Sequence, residues 1–206
     1  MTSTITLYHT SHCPNCHAQE KILRQLRTPT FELKTVNLET SPEIQLTPSI
    51  QSVPTLLIDE YRFEGLMSAQ KISQWLGPEN HDKAYIEELL KSGQLDLAQV
   101  WLQQHPAALS VIPNLLADEN LELTVRIGLD ALFEQLVASM DLSSLIPPLG
   151  KLLETASDSR CIDVLYSLSM LDSAAVIPYI RAATRRNHPE VQRVANELLA
   201  ELVPAS

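Results

Sequence analysis

Two hydrophobic rhythms divide the chain. Up to about residue 77, short stretches alternate apolar with polar positions and are rich in β-branched and aromatic residues: "TITLYH" (4–9), "FELKTVNL" (31–38), "TLLID" (55–59) and "RFEG" (62–65). A period of two bounded by turn formers predicts strands. Between them the period lengthens. "HAQEKILRQL" spaces Ile22, Leu23 and Leu26 as on a helix, and Pro14 just ahead suits its first turn. "SPEIQ" opens with Ser41 as an N-cap and Pro42 at the first helical position, and "SAQKISQWLG" is capped by Ser68, gathers Ile72, Trp75 and Leu76 on one face and ends at Gly77. A two-residue connection around Glu60-Tyr61 joins the last two strands, giving the order β-α-β-α-β-β-α over residues 1–77.

After a linker at 78–82, within "GPENHD", the alternation stops, and residues 83–206 read as helices separated by short breaks. Three stretches repeat: "LSVIPNLLADENLELTVRIGLDALFEQL", "LSSLIPPLGKLLETASDSRCIDVLYSL" and "SAAVIPYIRAATRRNHPEVQRVANELLAEL". Each carries an Ile-Pro in its first helix, at Ile112-Pro113, Ile146-Pro147 and Ile177-Pro178, recurring after 34 and then 31 residues. A proline there is expected to kink the first helix before a polar turn leads to the second. The pattern resembles HEAT repeats, in which Asp or Asn in the turn is followed by V-R or V-x-x; "LTVR" at Arg126 and "NHPEVQR" at Arg193 fit, and "SDSRCIDV" fits poorly. The fold class expected here is an all-α solenoid of HEAT-like helix pairs, with "YIEELLKSGQLDLAQVWLQQHP" as a further pair capping it. Cys161, with Leu165, Leu168 and Leu171, is expected in the helical core.

Composition narrows the function. With 206 residues, 45% hydrophobic and only 5 Gly, the chain can bury a core in each region, which argues against disorder. The formal charge of −10 divides into −2 for residues 1–80 and −8 for residues 81–206. An acidic surface is a poor match for a phosphate backbone, so nucleic acid is not expected as a partner, whereas a basic protein could be attracted to the helical region. "MTSTITLYHT" lacks a basic, then apolar leader, and no segment is apolar for the length of a membrane span; no membrane association and a cytoplasmic location are expected. Three cysteines, two of them in one C-x-x-C, exclude a disulfide framework and suit a reducing compartment with a catalytic or metal-binding pair.

That pair lies in "HCPNCH" (12–17), which also fits haem attachment or a zinc half-site. Haem attachment normally follows export, for which no signal is visible, and zinc lacks a second ligand cluster. The redox reading requires a strand running into a helix, and the flanks supply one. At a helix N-terminus, free N–H groups and the dipole stabilise a thiolate. Cys13, first and more exposed, is the expected nucleophile, and Cys16, one turn into the helix, resolves the mixed disulfide. His12 and His17, with Pro14 and Asn15 between the sulfurs, are candidates for tuning the thiol pKa; His9 is expected to be structural, and His81, His105 and His188 to occupy surface or turn positions.

Cys13-Pro14-Asn15-Cys16 after the first strand, Val53-Pro54-Thr55 some forty residues later and Gly65 after the hairpin together resemble the thioredoxin/glutaredoxin fold. The resemblance implies a cis proline at Pro54 facing the dithiol, with Val53 and Thr55 beside it presenting backbone to a bound peptide or disulfide. It departs from thioredoxins in having His12 where they carry Trp, Asn15 where they carry Pro and an apolar first strand. It departs from glutaredoxins in lacking a G-G-x-D-D-type turn, and small glutaredoxin-like thioredoxins of prokaryotes fit better. The implied function is thiol–disulfide exchange needing no cofactor beyond the redox-active disulfide. The implied partners are a protein disulfide client, a thioredoxin reductase-like enzyme or other thiol donor, and a protein held by the helical repeats. The alternatives are a docking module with an idle or regulatory dithiol and a minor role in handling copper or zinc.

Overall fold

The computed structural model describes residues 2–26, 30–41, 46, 48–77, 79–171 and 173–202. They form two compact units that divide between His81 and Asp82.

In the first unit, β1 (Ser3–His9), α1 (Pro14–Gln25), β2 (Phe31–Asn37), β3 (Thr55–Ile58), β4 (Tyr61–Glu64) and α2 (Ala69–Gln74) follow in order. The sheet runs β2-β1-β3-β4. β1 and β2 are parallel, as a helical crossover requires, and the other two pairings are antiparallel. The register places Ile5, Leu7, Leu56, Ile58, Tyr61 and Phe63 on one face, all nearly free of solvent. Trp75, at the end of α2, closes over Tyr61 and Phe63 with ring centroids 5.6 and 4.7 Å away. Ser68 caps α2 by accepting from the Lys71 N–H, and Ile72, Trp75 and Leu76 are buried as the helical spacing predicts.

One expectation needs correction here. The hairpin turns on Asp59-Glu60 rather than Glu60-Tyr61, because Tyr61 already pairs with Ile58. Asp59 takes the left-handed conformation (φ 52°), and its carboxylate accepts from the Thr4 N–H at 2.8 Å, tying the turn to β1. In α1 the buried side chains are Cys16, Gln19 and Leu23, whereas Ile22 and Leu26 are only half-buried. The short helix expected from "SPEIQ" falls at Pro42–Gln45, outside the described residues.

The second unit is all-helical: α3 (Asp82–Lys91), α4 (Leu95–Gln104), α5 (Val111–Leu116), α6 (Leu123–Val137), α7 (Ile146–Thr155), α8 (Asp158–Met170), α9 (Ile177–Ala183) and α10 (Pro189–Leu202). The Ile-Pro prolines do not kink these helices. Pro147 and Pro178 stand in the first turn, and Pro113 is the third residue of α5. A 3-10 turn leads into each helix, over Pro106–Ser110, Ser143–Leu145 and Ala174–Val176. Near a helix start the missing N–H of proline costs little, so each proline marks a beginning rather than a bend.

Within this unit α5 touches α7 and α7 touches α9, while α6 touches α8 and α8 touches α10. Arginines fasten one pair to the next. Arg160 on α8 donates to the Asp118 carbonyl at 2.8 Å, in the turn between α5 and α6. Arg186, in the turn after α9, donates to the Leu153 and Ala156 carbonyls at the end of α7 and to Asp158. Arg186 thereby satisfies carbonyls that the end of α7 leaves without helical partners. Tyr179 packs against Gly150, where a Cβ would come 2.2 Å from its ring. Cys161 is fully buried, and burial raises its thiol pKa. No described helix is long and apolar enough to cross a membrane.

Candidate functional site

The dithiol forms where β1 gives way to α1. Cys13 is the N-cap of α1, in extended backbone conformation, and its Sγ accepts from the Cys16 N–H at 3.1 Å. Pro14 takes the first helical position, where no N–H is missed. Cys13 and Cys16 are joined in a disulfide with Cα atoms 5.2 Å apart. Their exposures differ: Cys13 is half-buried and Cys16 is 2% exposed. An incoming sulfur therefore reaches Cys13 first. A thiolate there would face the orphan N–H groups of a 12-residue helix and the positive end of its dipole.

Opposite lies the segment that enters β3. The Val53–Pro54 peptide is cis, and the Val53 carbonyl oxygen is 3.8 Å from Cys13 Sγ. In the reduced protein the Cys13 thiol has a hydrogen to direct at that oxygen. The Thr55 hydroxyl donates to the Ser52 carbonyl at 2.6 Å, and the Gly65 N–H donates to the Pro54 carbonyl at 2.8 Å. Gly65 has φ 92°, a conformation that only glycine adopts freely.

The other candidates surround the sulfurs without bonding to them. His12, Pro14 and Asn15 are exposed at the mouth of the site. His17 is exposed as well, and its Nε2 lies 3.3 Å from the Ser11 carbonyl oxygen. Among the described residues no His, Cys, Asp or Glu side chains converge in a group of three that could hold a metal. Of the histidines expected at surface or turn positions, His81 and His105 do lie between elements, and each also packs on aromatic rings. His105 stacks on Trp101, and His81 stands edge-on to Tyr61 and Trp75 with its Nε2 buried, because each imidazole offers a flat apolar face to a neighbouring ring.

Sequence reasoning missed three supports. Gln19, fully buried, accepts from the Met67 N–H at 2.7 Å and donates to the Met67 carbonyl at 3.2 Å, clamping α1 to the segment before α2. Glu39 accepts from the Ser11 N–H at 2.9 Å, fixing the turn before the cysteines, and its hydrogen bonds with Ser11 hold its carboxyl below the usual range. Arg62 and Glu64 on β4 form an ion pair with side-chain exposures of 6% and 13%. Arg62 donates to the Pro48 and Ser49 carbonyls, and Glu64 accepts from the Gln51 N–H and the Ser52 hydroxyl. The pair thus straps down the stretch leading to Val53. The only hint of it in the sequence is two charged residues alternating with Tyr61 and Phe63, which reads as an ordinary solvent face.

Compared with curated proteins, the chain matches none. Residues 3–77 match the family model of a thioredoxin domain, so the N-terminal part of the chain, which holds Cys13, Cys16 and Pro54, is a thioredoxin domain, followed by an all-helical region.

Proposed function

We propose that the protein is a thiol–disulfide oxidoreductase that reduces protein disulfides through Cys13 and Cys16, with its helical unit selecting the client. The observation that carries this reading is the half-buried Cys13 sulfur, at a helix N-terminus, facing the Val53 carbonyl beside a cis proline.

The cycle begins when an external dithiol or a flavoenzyme of thioredoxin reductase type delivers two electrons and two protons to the Cys13–Cys16 disulfide. Cys13 thiolate then attacks one sulfur of the client disulfide. The client S–S bond breaks, its leaving thiolate takes a proton, and a Cys13–client disulfide forms against Val53 and Pro54. Cys16 thiolate attacks Cys13 Sγ, releases the second client thiol and restores the Cys13–Cys16 disulfide. Two electrons pass to the client in each turn.

For the helical unit we propose HEAT-like repeats. The contacts of α5 with α7 and of α7 with α9, and of α6 with α8 and of α8 with α10, support a stack, as do Arg160 and Arg186 reaching back to the preceding pair. Stacks of this kind leave long surfaces that bind proteins.

The test is reduction of a disulfide-bonded protein by the full chain with a dithiol as electron donor. Cys13→Ser is expected to abolish turnover without unfolding the protein, and Cys16→Ser to accumulate a covalent adduct at Cys13. Turnover retained in Cys13→Ser sinks the mechanism.

A further inference from the structure

Four large apolar side chains stand well exposed among the described residues, and three of them lie on two neighbouring helices: Leu123 and Ile127 on α6, 68% and 60% exposed, and Tyr166 on α8, 46% exposed. The helices touch, and Arg126 bonds Asp163 across them at 2.5 Å. α6 already buries a complete apolar face through Val125, Leu129, Leu132, Phe133 and Leu136. Its exposed side carries a second stripe, Leu123, Ile127, Asp130 and Glu134, spaced four, three and four residues apart. That is the spacing of a seam along which one helix receives another.

The charges say what kind of helix. Residues 82–141 contain three Lys or Arg, and each is engaged: Lys83 with Asp118 and Lys91 with Glu122, both at 2.7 Å, and Arg126 with Asp163 at 2.5 Å. Among the described residues no ion pair reaches Asp130 or Glu134. Asp130 is moreover pressed by its surroundings and then by neighbouring Asp163, which hold its carboxyl above the usual range. Arg126 offsets this only in part, since its own ion pair is with Asp163, so a cation on another molecule would complement the stripe.

We propose that the outer face of α6 and α8 docks an amphipathic helix of a client protein, with its apolar side chains over Leu123, Ile127 and Tyr166 and its Lys or Arg side chains on Asp130 and Glu134. The inference rests on the reading that the helical unit selects the client.

The test uses the full chain as the Cys13→Ser/Cys16→Ser variant, so that thiol chemistry takes no part. Fluorescence anisotropy measures binding of an 18-residue leucine–lysine amphipathic peptide and of its leucine–glutamate counterpart with the same apolar spacing. The lysine peptide should bind and the glutamate peptide should not. Ile127→Asp should weaken the lysine peptide at least about tenfold, and Asp130→Lys/Glu134→Lys should do the same while gaining the glutamate peptide. Glu154→Lys/Glu201→Lys, an equal charge change elsewhere, should alter binding less than about twofold. The gain of the glutamate peptide shows that the reversed variant is folded. Equal binding of both peptides, no binding of the lysine peptide, or equal weakening by the control pair overturns the proposal. So does a chain that dimerises through this face, with Ile127→Asp restoring the monomer. Reduction of a small disulfide by the wild-type chain reports separately on the dithiol, so either reading can fail alone.

Discussion

Gln19 and Glu39 show how little of the dithiol's support lies in the dithiol motif itself. Gln19→Ala removes both partners of the Met67 backbone in a buried place, so stability should fall by about 2–3 kcal/mol in denaturant titration. Glu39 acts through charge. Its native pKa is lowered by Ser11, so its contribution to stability is present above the ordinary glutamate range and is lost as pH falls through the lowered native value. Glu39→Gln should lower stability at pH 7 and flatten that part of the acid limb, so that the stability–pH profiles of the two proteins, measured side by side, converge as pH falls. Cys13, Cys16 and Pro54 were legible because motif chemistry fixes their spacing. Gln19 was not, since it sits in the polar run "HAQEK" and its partners are backbone atoms 48 residues away.

At the scale of elements, β4 does more than complete the sheet. Its tight turn after β3 lets Arg62 and Glu64 bond the stretch that leads to Val53, so β4 helps to fix where Val53 stands opposite Cys13. Arg62→Met should slow reduction of a protein disulfide about tenfold while leaving a small aromatic disulfide, which needs only the thiol, within about twofold; Arg62→Lys should recover part of the loss. Parallel assays with the two substrates decide it, and equal losses would mean simple destabilisation. Period and caps were enough to read the strands and α2 from sequence. The hairpin turn slipped by one residue because the left-handed Asp59 was invisible without the register. The prolines were misread because their effect depends on where a helix starts, and the 3-10 turns before them leave no clear hydrophobic period.

At the scale of the whole molecule, the division into an α/β unit and a helical unit is plain in the change of hydrophobic rhythm, whereas the docking face proposed above emerges only when neighbouring helices are laid side by side. The burial of Cys161 has one more consequence, which concerns stoichiometry. Three cysteines could pair in three ways, but a thiol sealed in the helical core is withdrawn from exchange, so disulfide shuffling has a single permitted product. Each native chain then stores two electrons and no fraction of the population leaks into a mispaired form. Maleimide labelling read by mass spectrometry should find no reactive thiol in the folded oxidised protein and one after unfolding. The folded reduced protein should label at Cys13 first, at Cys16 more slowly and at Cys161 only once unfolded.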